Sequence, residues 1–220
     1  MPRFLDRRHA TDPARFVKRF PDLHRYTRLD DALEAGADLA LIAAVPAERA
    51  ALAVRAMQGG LDVMCDKPGC TTLAQLESLR STVAQTGRIW SVNFSERFET
   101  PVSTLASELV AAGEIGRVVQ TVGLGPHRLN RATRPDWFFQ RDRYGGILTD
   151  IASHQIDQFL HYTGSDAAEI TLAHATNHAN PGDPGLQDFG EIGLRSAKAS
   201  GYIRVDWYTP DALPTWGTAV

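Results

Sequence analysis

The sequence predicts an α/β unit on a parallel sheet, followed by an α+β unit on an open, mainly antiparallel sheet. Three observations predict it. Residues 38–93 alternate short apolar runs with amphipathic helical stretches. From about residue 118 strand-like segments follow one another with little helix between them. And 220 residues, 43% hydrophobic and 22% charged, suffice for two small cores, without a disulfide or metal to staple them.

The first unit reads as three strands in series. Leu39-Ala-Leu-Ile-Ala-Ala-Val45 is wholly apolar, as in a parallel strand buried on both faces. Pro46 opens a helix with Ala50, Ala53, Val54 and Met57 on one side, and Gly59-Gly60 closes it. Asp62–Cys65 is a second strand. A helix over 71–86 follows, with Leu73, Leu76 and Leu79 inward and Gly87 at its end. Ile89–Phe94 is a third strand. Strands separated by helices imply right-handed crossovers and a doubly wound parallel sheet. A helix over 101–112 and a strand over 118–124 come next, then an Arg-rich loop to Gly146 and a helix over 147–162. Strands at 168–176, 189–195 and 200–208 complete the second unit. The expected division is 1–95 and 96–220.

Charge and composition exclude several classes. A net charge of −3 argues against a generic nucleic-acid or acidic-membrane binder. The longest apolar run, 39–47, contains Pro46 and is too short to span a bilayer. Cys65 and Cys70 fit neither a disulfide scaffold nor a zinc motif, and no signal segment opens the chain, so a reducing cytoplasm is expected. Residues 1–28 carry a net of +5. Asp12 suits a cap and Pro13 a first helical position, with Phe16, Val17 and Phe20 on one face before Pro21. This reads as a solvated helix rather than a nucleic-acid arm or transit peptide.

Two places carry chemistry. Asp66-Lys67-Pro68 lies just past a parallel strand, where open α/β sheets take ligands. In Gly145-Gly-Ile-Leu-Thr-Asp150-Ile-Ala-Ser-His154-Gln-Ile-Asp157-Gln-Phe-Leu-His161, the Asp and His residues fall on one helical stripe. A solvated face normally carries Lys, Glu and Gln. Asp150 can orient the His154 imidazole at i,i+4, and histidine suits proton transfer near neutrality. Acid–base chemistry, a metal site and a purely structural role all compete for the stripe. His161 is too far along the helix to share a metal with Asp150 and His154, so no metal is expected. Cys65 and Cys70 read as inert, and Trp207 and Trp137-Phe-Phe as core or interface.

Met64-Cys-Asp-Lys-Pro68, Val92-Asn-Phe-Ser-Glu-Arg-Phe98, Gly113-Glu-Ile-Gly116, Trp137-Phe-Phe and Gly145-Gly-x3-Asp150-x3-His154-x2-Asp157 occur in the order found in the Gfo/Idh/MocA family. The chain resembles that family from about residue 12 onward. The resemblance implies a Rossmann-like first domain and an NAD- or NADP-dependent dehydrogenase of sugars, inositols or polyols. By resemblance, Lys67 hydrogen-bonds the reacting hydroxyl and touches the cofactor, His154 is the general base, and Asp150 binds substrate and orients the site. Val45, Pro46, Asp66 and Trp137 would line the cofactor, and Arg97, His127 and Arg128 the substrate. The resemblance also implies a homo-oligomer through the open sheet face, where Asp206-Trp-Tyr208 adds aromatic surface. The sequence departs from the pattern in holding no G-x-G-x-x-G, in ending at Val220 where relatives add strands, in Asp66 for a commoner Glu, and in Ala-Glu-Arg-Ala after Pro46 where many relatives have Asn and a later His. The first strand, glycine loop and helix are thus expected to be missing, and a non-catalytic sugar-binding or assembly-forming remnant is the alternative reading. A metal-dependent isomerase or lyase is a third.

Overall fold

The computed structural model describes residues 17–99 and 101–210, and the backbone of 3–5. The chain divides into two compact units, Met1–Asn93 and Phe94–Val220.

In the first unit, β1 (Arg3–Leu5) pairs in parallel with β2 (His24–Tyr26). Where the sequence suggests an opening helix, the described chain thus has a strand first. Val17–Arg19 is helical, whereas Asp12, Pro13 and Phe16 lie outside the described residues. Phe20 is 43% exposed, so it does not belong to a packed face. After α1 (Leu29–Glu34) come β3 (Leu39–Ile42), α2 (Pro46–Gln58), β4 (Asp62–Asp66), α3 (Leu73–Thr86) and β5 (Trp90–Asn93). The strands run parallel in the order β3-β4-β5.

Sequential order with crossovers of the common hand puts α2 and α3 on the same face of this sheet. The core agrees: Ile42, Val63 and Cys65 pack with Ala50, Ala53, Met57 and Leu79. Leu39, Leu41 and Met64 alternate with these and are exposed, Leu41 by 72%. The expectation that 39–45 is a strand buried on both faces is therefore corrected. The strand is four residues long and only one face is covered by α2 and α3. Leu73, expected inward, is also exposed. It is the first residue after the Thr72 cap, whose hydroxyl accepts from Gln75 N–H, and the helix has not yet turned onto the sheet there.

The second unit starts with a short 3₁₀ turn, Ser95–Arg97, and α4 (Pro101–Ala111). β6 (Gln120–Pro126) begins two residues later than the apolar pattern suggests. α5 (Arg141–Tyr144) precedes a helix whose first turn, Leu148–Ala152, is π-helical and which continues as α6 (Ser153–Thr163). β7 (Glu169–Thr176), β8 (Phe189–Arg195) and β9 (Ser200–Asp206) follow. The sheet order is β6-β9-β8-β7, with β6 and β9 parallel and the other pairs antiparallel. One face packs on the helix through Ile151, Phe159, Ile192, Leu194, Ile203 and Val205. Gly123 has no Cβ because one would sit 2.7 Å from Gln155 Cγ, so the glycine sets how close α6 can lie. Val122, Leu124 and Tyr202 occupy the opposite, exposed face. Trp207, read both as core or interface and within Asp206-Trp-Tyr208 as aromatic surface, is 5% exposed and joins the core. Among the described residues, no helix is long and apolar enough to cross a membrane.

Candidate active site

The first site stands at the carboxyl edge of the β3-β4-β5 sheet. Val45 and Pro46 are buried where β3 turns into α2, and Pro46 takes the first helical position. Asp66 ends β4 and is exposed, and its Oδ1 accepts Lys67 N–H at 2.9 Å. The Lys67–Pro68 peptide is cis.

Arg49, on the first turn of α2, is the residue that sequence reasoning missed here. It is 5% exposed. Its Nε donates to Ala44 C=O at 2.7 Å. Its Nη1 reaches the carbonyls of Asp66, Lys67 and Pro68 at 3.0, 2.5 and 3.0 Å, and Nη2 lies 3.3 Å from Asp66 Oδ2. In the sequence it stood out only as part of the Ala-Glu-Arg-Ala departure after Pro46, with no role attached, since a charged residue on a helix normally faces water. Cys65, buried beneath the strand, has its thiol pushed up by burial, in keeping with an inert sulfur.

The second site is on the Asp/His helix. Gly145 and Gly146, at φ 92° and 85°, form the left-handed turn that aims the helix, which explains the glycine pair. The π-helical turn carries Asp150, and His154 comes next on α6. The Asp150 charge acts on Arg134 and Tyr144, while His154, Asp157 and His161 meet the 95–97 turn and α4.

His154 is 4% exposed, with Phe94 edge-on to its ring at 6.1 Å between centroids. Its Nε2 stands 3.8 Å from Glu96 Oε1, and Glu96 Oε2 accepts from Gln158 Nε2 at 3.1 Å. Glu96 is a second residue that the sequence did not single out. Arg97 pairs with Asp157 at 2.6 Å. Burial pushes the Asp157 carboxyl up, against the opposite pull of Arg97 and His161. Arg97 Nη1 is also 3.2 Å from His161 Nδ1. Arginine can only donate, so Nδ1 accepts and Nε2–H is left to donate to Ser107 Oγ at 2.9 Å.

His127 is buried, with Nδ1 2.8 Å from Gly125 C=O and its ring edge-on to Trp207 at 5.4 Å. Arg128 is half-buried and bridges to Tyr208 through the backbone. Trp137 is half-buried and edge-on to Phe138. Arg134, another residue not singled out, lies over the rings of Phe138 and Trp207 at 4.3 and 5.1 Å and donates from Nε to Leu129 C=O. Burial lowers its pKa, and the Asp150 carboxylate partly offsets that. Among the described residues, no group of three or more His, Cys, Asp or Glu side chains is placed to hold a metal.

The chain thus combines a parallel α/β unit, with a lysine at its strand ends, and an open-sheet unit with an Asp/His helix. Residues 5–94 match the model of the oxidoreductase family with an NAD-binding Rossmann fold, and residues 104–216 match the GFO/IDH/MocA C-terminal domain. The chain belongs to this Gfo/Idh/MocA family. The D-glucoside 3-dehydrogenase of Escherichia coli (strain K12) is 29% identical over 123 residues, 54% of this chain and 34% of that protein. A provisionally assigned oxidoreductase from Erwinia carotovora atroseptica SCRI1043 superposes with a TM-score of 0.90 at 44% identity, over 94% of this chain and 62% of that one. The WlbA dehydrogenase from Bordetella pertussis, solved with NADH and UDP-GlcNAcA, shares the fold with a TM-score of 0.75 at 21% identity, over 92% of this chain and 63% of that one. The chain thus spans about a third of the curated relative and under two thirds of the solved ones.

Proposed function

We propose that this chain carries the proton-transfer and lysine parts of an NAD(P)-dependent dehydrogenase acting on a hydroxyl of a sugar, inositol or related polyol. The observation that carries the reading is His154, a buried imidazole with a carboxylate 3.8 Å from Nε2, on the helix that the Gly-Gly turn aims. In this reading the substrate hydroxyl gives its proton to His154 Nε2. The carbinol C–H bond breaks with its electron pair leaving as hydride. Glu96 stabilises the imidazolium formed, and Asp150 holds and orients the substrate. Lys67, at the strand ends of the first unit, touches the cofactor.

The residues present fit the phosphate side of a dinucleotide. Lys67 supplies a cation at the strand ends, beside the start of α2 at Val45 and Pro46, although Pro46 has no N–H and the Glu48 N–H already donates to Val45 C=O at 2.8 Å. Nicotinamide, when bound, supplies the hydride acceptor. The name and bound NADH of the related proteins support this cofactor class. Self-association through the exposed Val122, Leu124 and Tyr202 face belongs to the same reading. Light scattering giving a 24 kDa particle would remove that part of it.

Titrating NADH and NADPH by fluorescence tests the reading. Binding to this 220-residue chain is expected. His154→Gln is expected to leave that binding intact and to cut alcohol oxidation by roughly 10²–10⁴, the usual worth of a positioned base. If neither cofactor binds at millimolar concentration, the chain is not a working dehydrogenase, and a non-catalytic role takes its place.

A further inference from the structure

We propose that Arg49 is a positioning residue for Lys67, one that locks both turns at the strand ends into a single rigid piece. This rests on the role given to Lys67 above, but the geometry stands by itself. A guanidinium at 5% exposure is costly unless its donors are satisfied. Here they are met by the ends of two neighbouring strands. Nε takes Ala44 C=O, the last residue but one before α2. Nη1 is shared by three successive carbonyls, Asp66, Lys67 and Pro68, and Nη2 adds the Asp66 carboxylate.

Three consecutive carbonyls converging on one cation fix the path of the backbone through Lys67. Its N–H is held by Asp66 Oδ1 and its C=O by Arg49 Nη1, so both peptide groups flanking its Cα are pinned. The direction in which the lysine side chain leaves the backbone is pinned with them. A planar fork is needed for this. An ammonium in its place would meet one or two of the acceptors and leave the rest unsatisfied. Arg49 therefore acts on chemistry through Lys67 and not by touching a ligand.

The chain holds three lysines, Lys18, Lys67 and Lys198, so the proposal can be read directly. Labelling with 13C-lysine gives three Cε–Hε resonances, assigned with Lys18→Arg and Lys198→Arg. Arg49→Met is expected to move the Lys67 resonance toward the random-coil position, and so is Arg49→Lys, which keeps the charge and adds a fourth lysine signal, identified as the one that stays when Lys67→Ala is combined with it. Lys18 and Lys198 are expected to stay where they are. NADH affinity is expected to fall about tenfold in Arg49→Lys, as for one displaced charge-assisted contact. In a Lys67→Ala background the same substitution is expected to change it no further. An unmoved Lys67 resonance in Arg49→Lys overturns the proposal, as do additive losses of affinity in the double variant. If Lys67→Ala leaves NADH binding and turnover intact, the role given to Lys67 fails instead, and the resonance alone then decides whether Arg49 positions it.

Discussion

Asp188 offers a quantitative test of how the second unit is held together. It is fully buried, and its carboxylate accepts four hydrogen bonds, each at 2.8 Å. Oδ1 takes His178 N–H and Tyr208 O–H, and Oδ2 takes Ala179 N–H and Asn180 Nδ2. The group pins the 177–187 segment, whose Gly185 lies so close to Phe139 C=O that an added Cβ would sit 2.3 Å from it. Hydrogen bonds to a charged group contribute about 1.5 kcal/mol or more each, about 6 kcal/mol for four. In Asp188→Ala the exposed residues His178 and Ala179 regain water for their N–H groups, so about half is recovered. A net loss of about 3 kcal/mol remains, or a fall in Tm of roughly 6–12 °C at this chain length. Asp188→Asn is expected to cost as much, because either orientation of the amide turns NH₂ onto two donors. The loss should depend on pH. Burial raises the Asp188 carboxyl, but the four hydrogen bonds outweigh it and leave the carboxyl below its ordinary 3.8. A depressed folded value means stability that is present above the ordinary carboxylate value and is lost as pH falls through the lower folded one. Urea unfolding at neutral pH and in acid reads this, with the gap between wild type and Asp188→Ala narrowing in acid. A gap under about 1 kcal/mol at neutral pH, or one that widens in acid, would refute the reasoning.

Two further outcomes are expected. Lys67→Ala should weaken both NADH binding and turnover, and Lys67→Arg should rescue neither, because a fork does not replace a compact ammonium; cofactor titration with steady-state rates checks this. Gly123→Val should destabilise the second unit by about 1–3 kcal/mol in urea unfolding, since its Cβ would meet Gln155 Cγ at 2.7 Å and displace α6 from the sheet.

What the sequence determined by itself is local. Alternation of apolar runs and helical stretches located β3 through β5, and β7 and β8 lie within a residue of their predicted ends, because periodicity and punctuation by Gly and Pro are properties of neighbouring residues. The Gly-Gly pair, the lysine past β4 and the Asp/His spacing were legible for the same reason. What the tertiary structure decided is which groups meet from a distance. Leu39 and Leu41 look like a strand buried on both faces, yet consecutive right-handed crossovers place α2 and α3 on one face only. Glu96, 58 positions before His154 in the chain, brings a carboxylate to 3.8 Å from the imidazole Nε2. Arg49 reads as a surface charge until the ends of β3 and β4 fold around it. Such pairings depend on chain path over tens of residues, and the chemistry of either partner alone carries no trace of them.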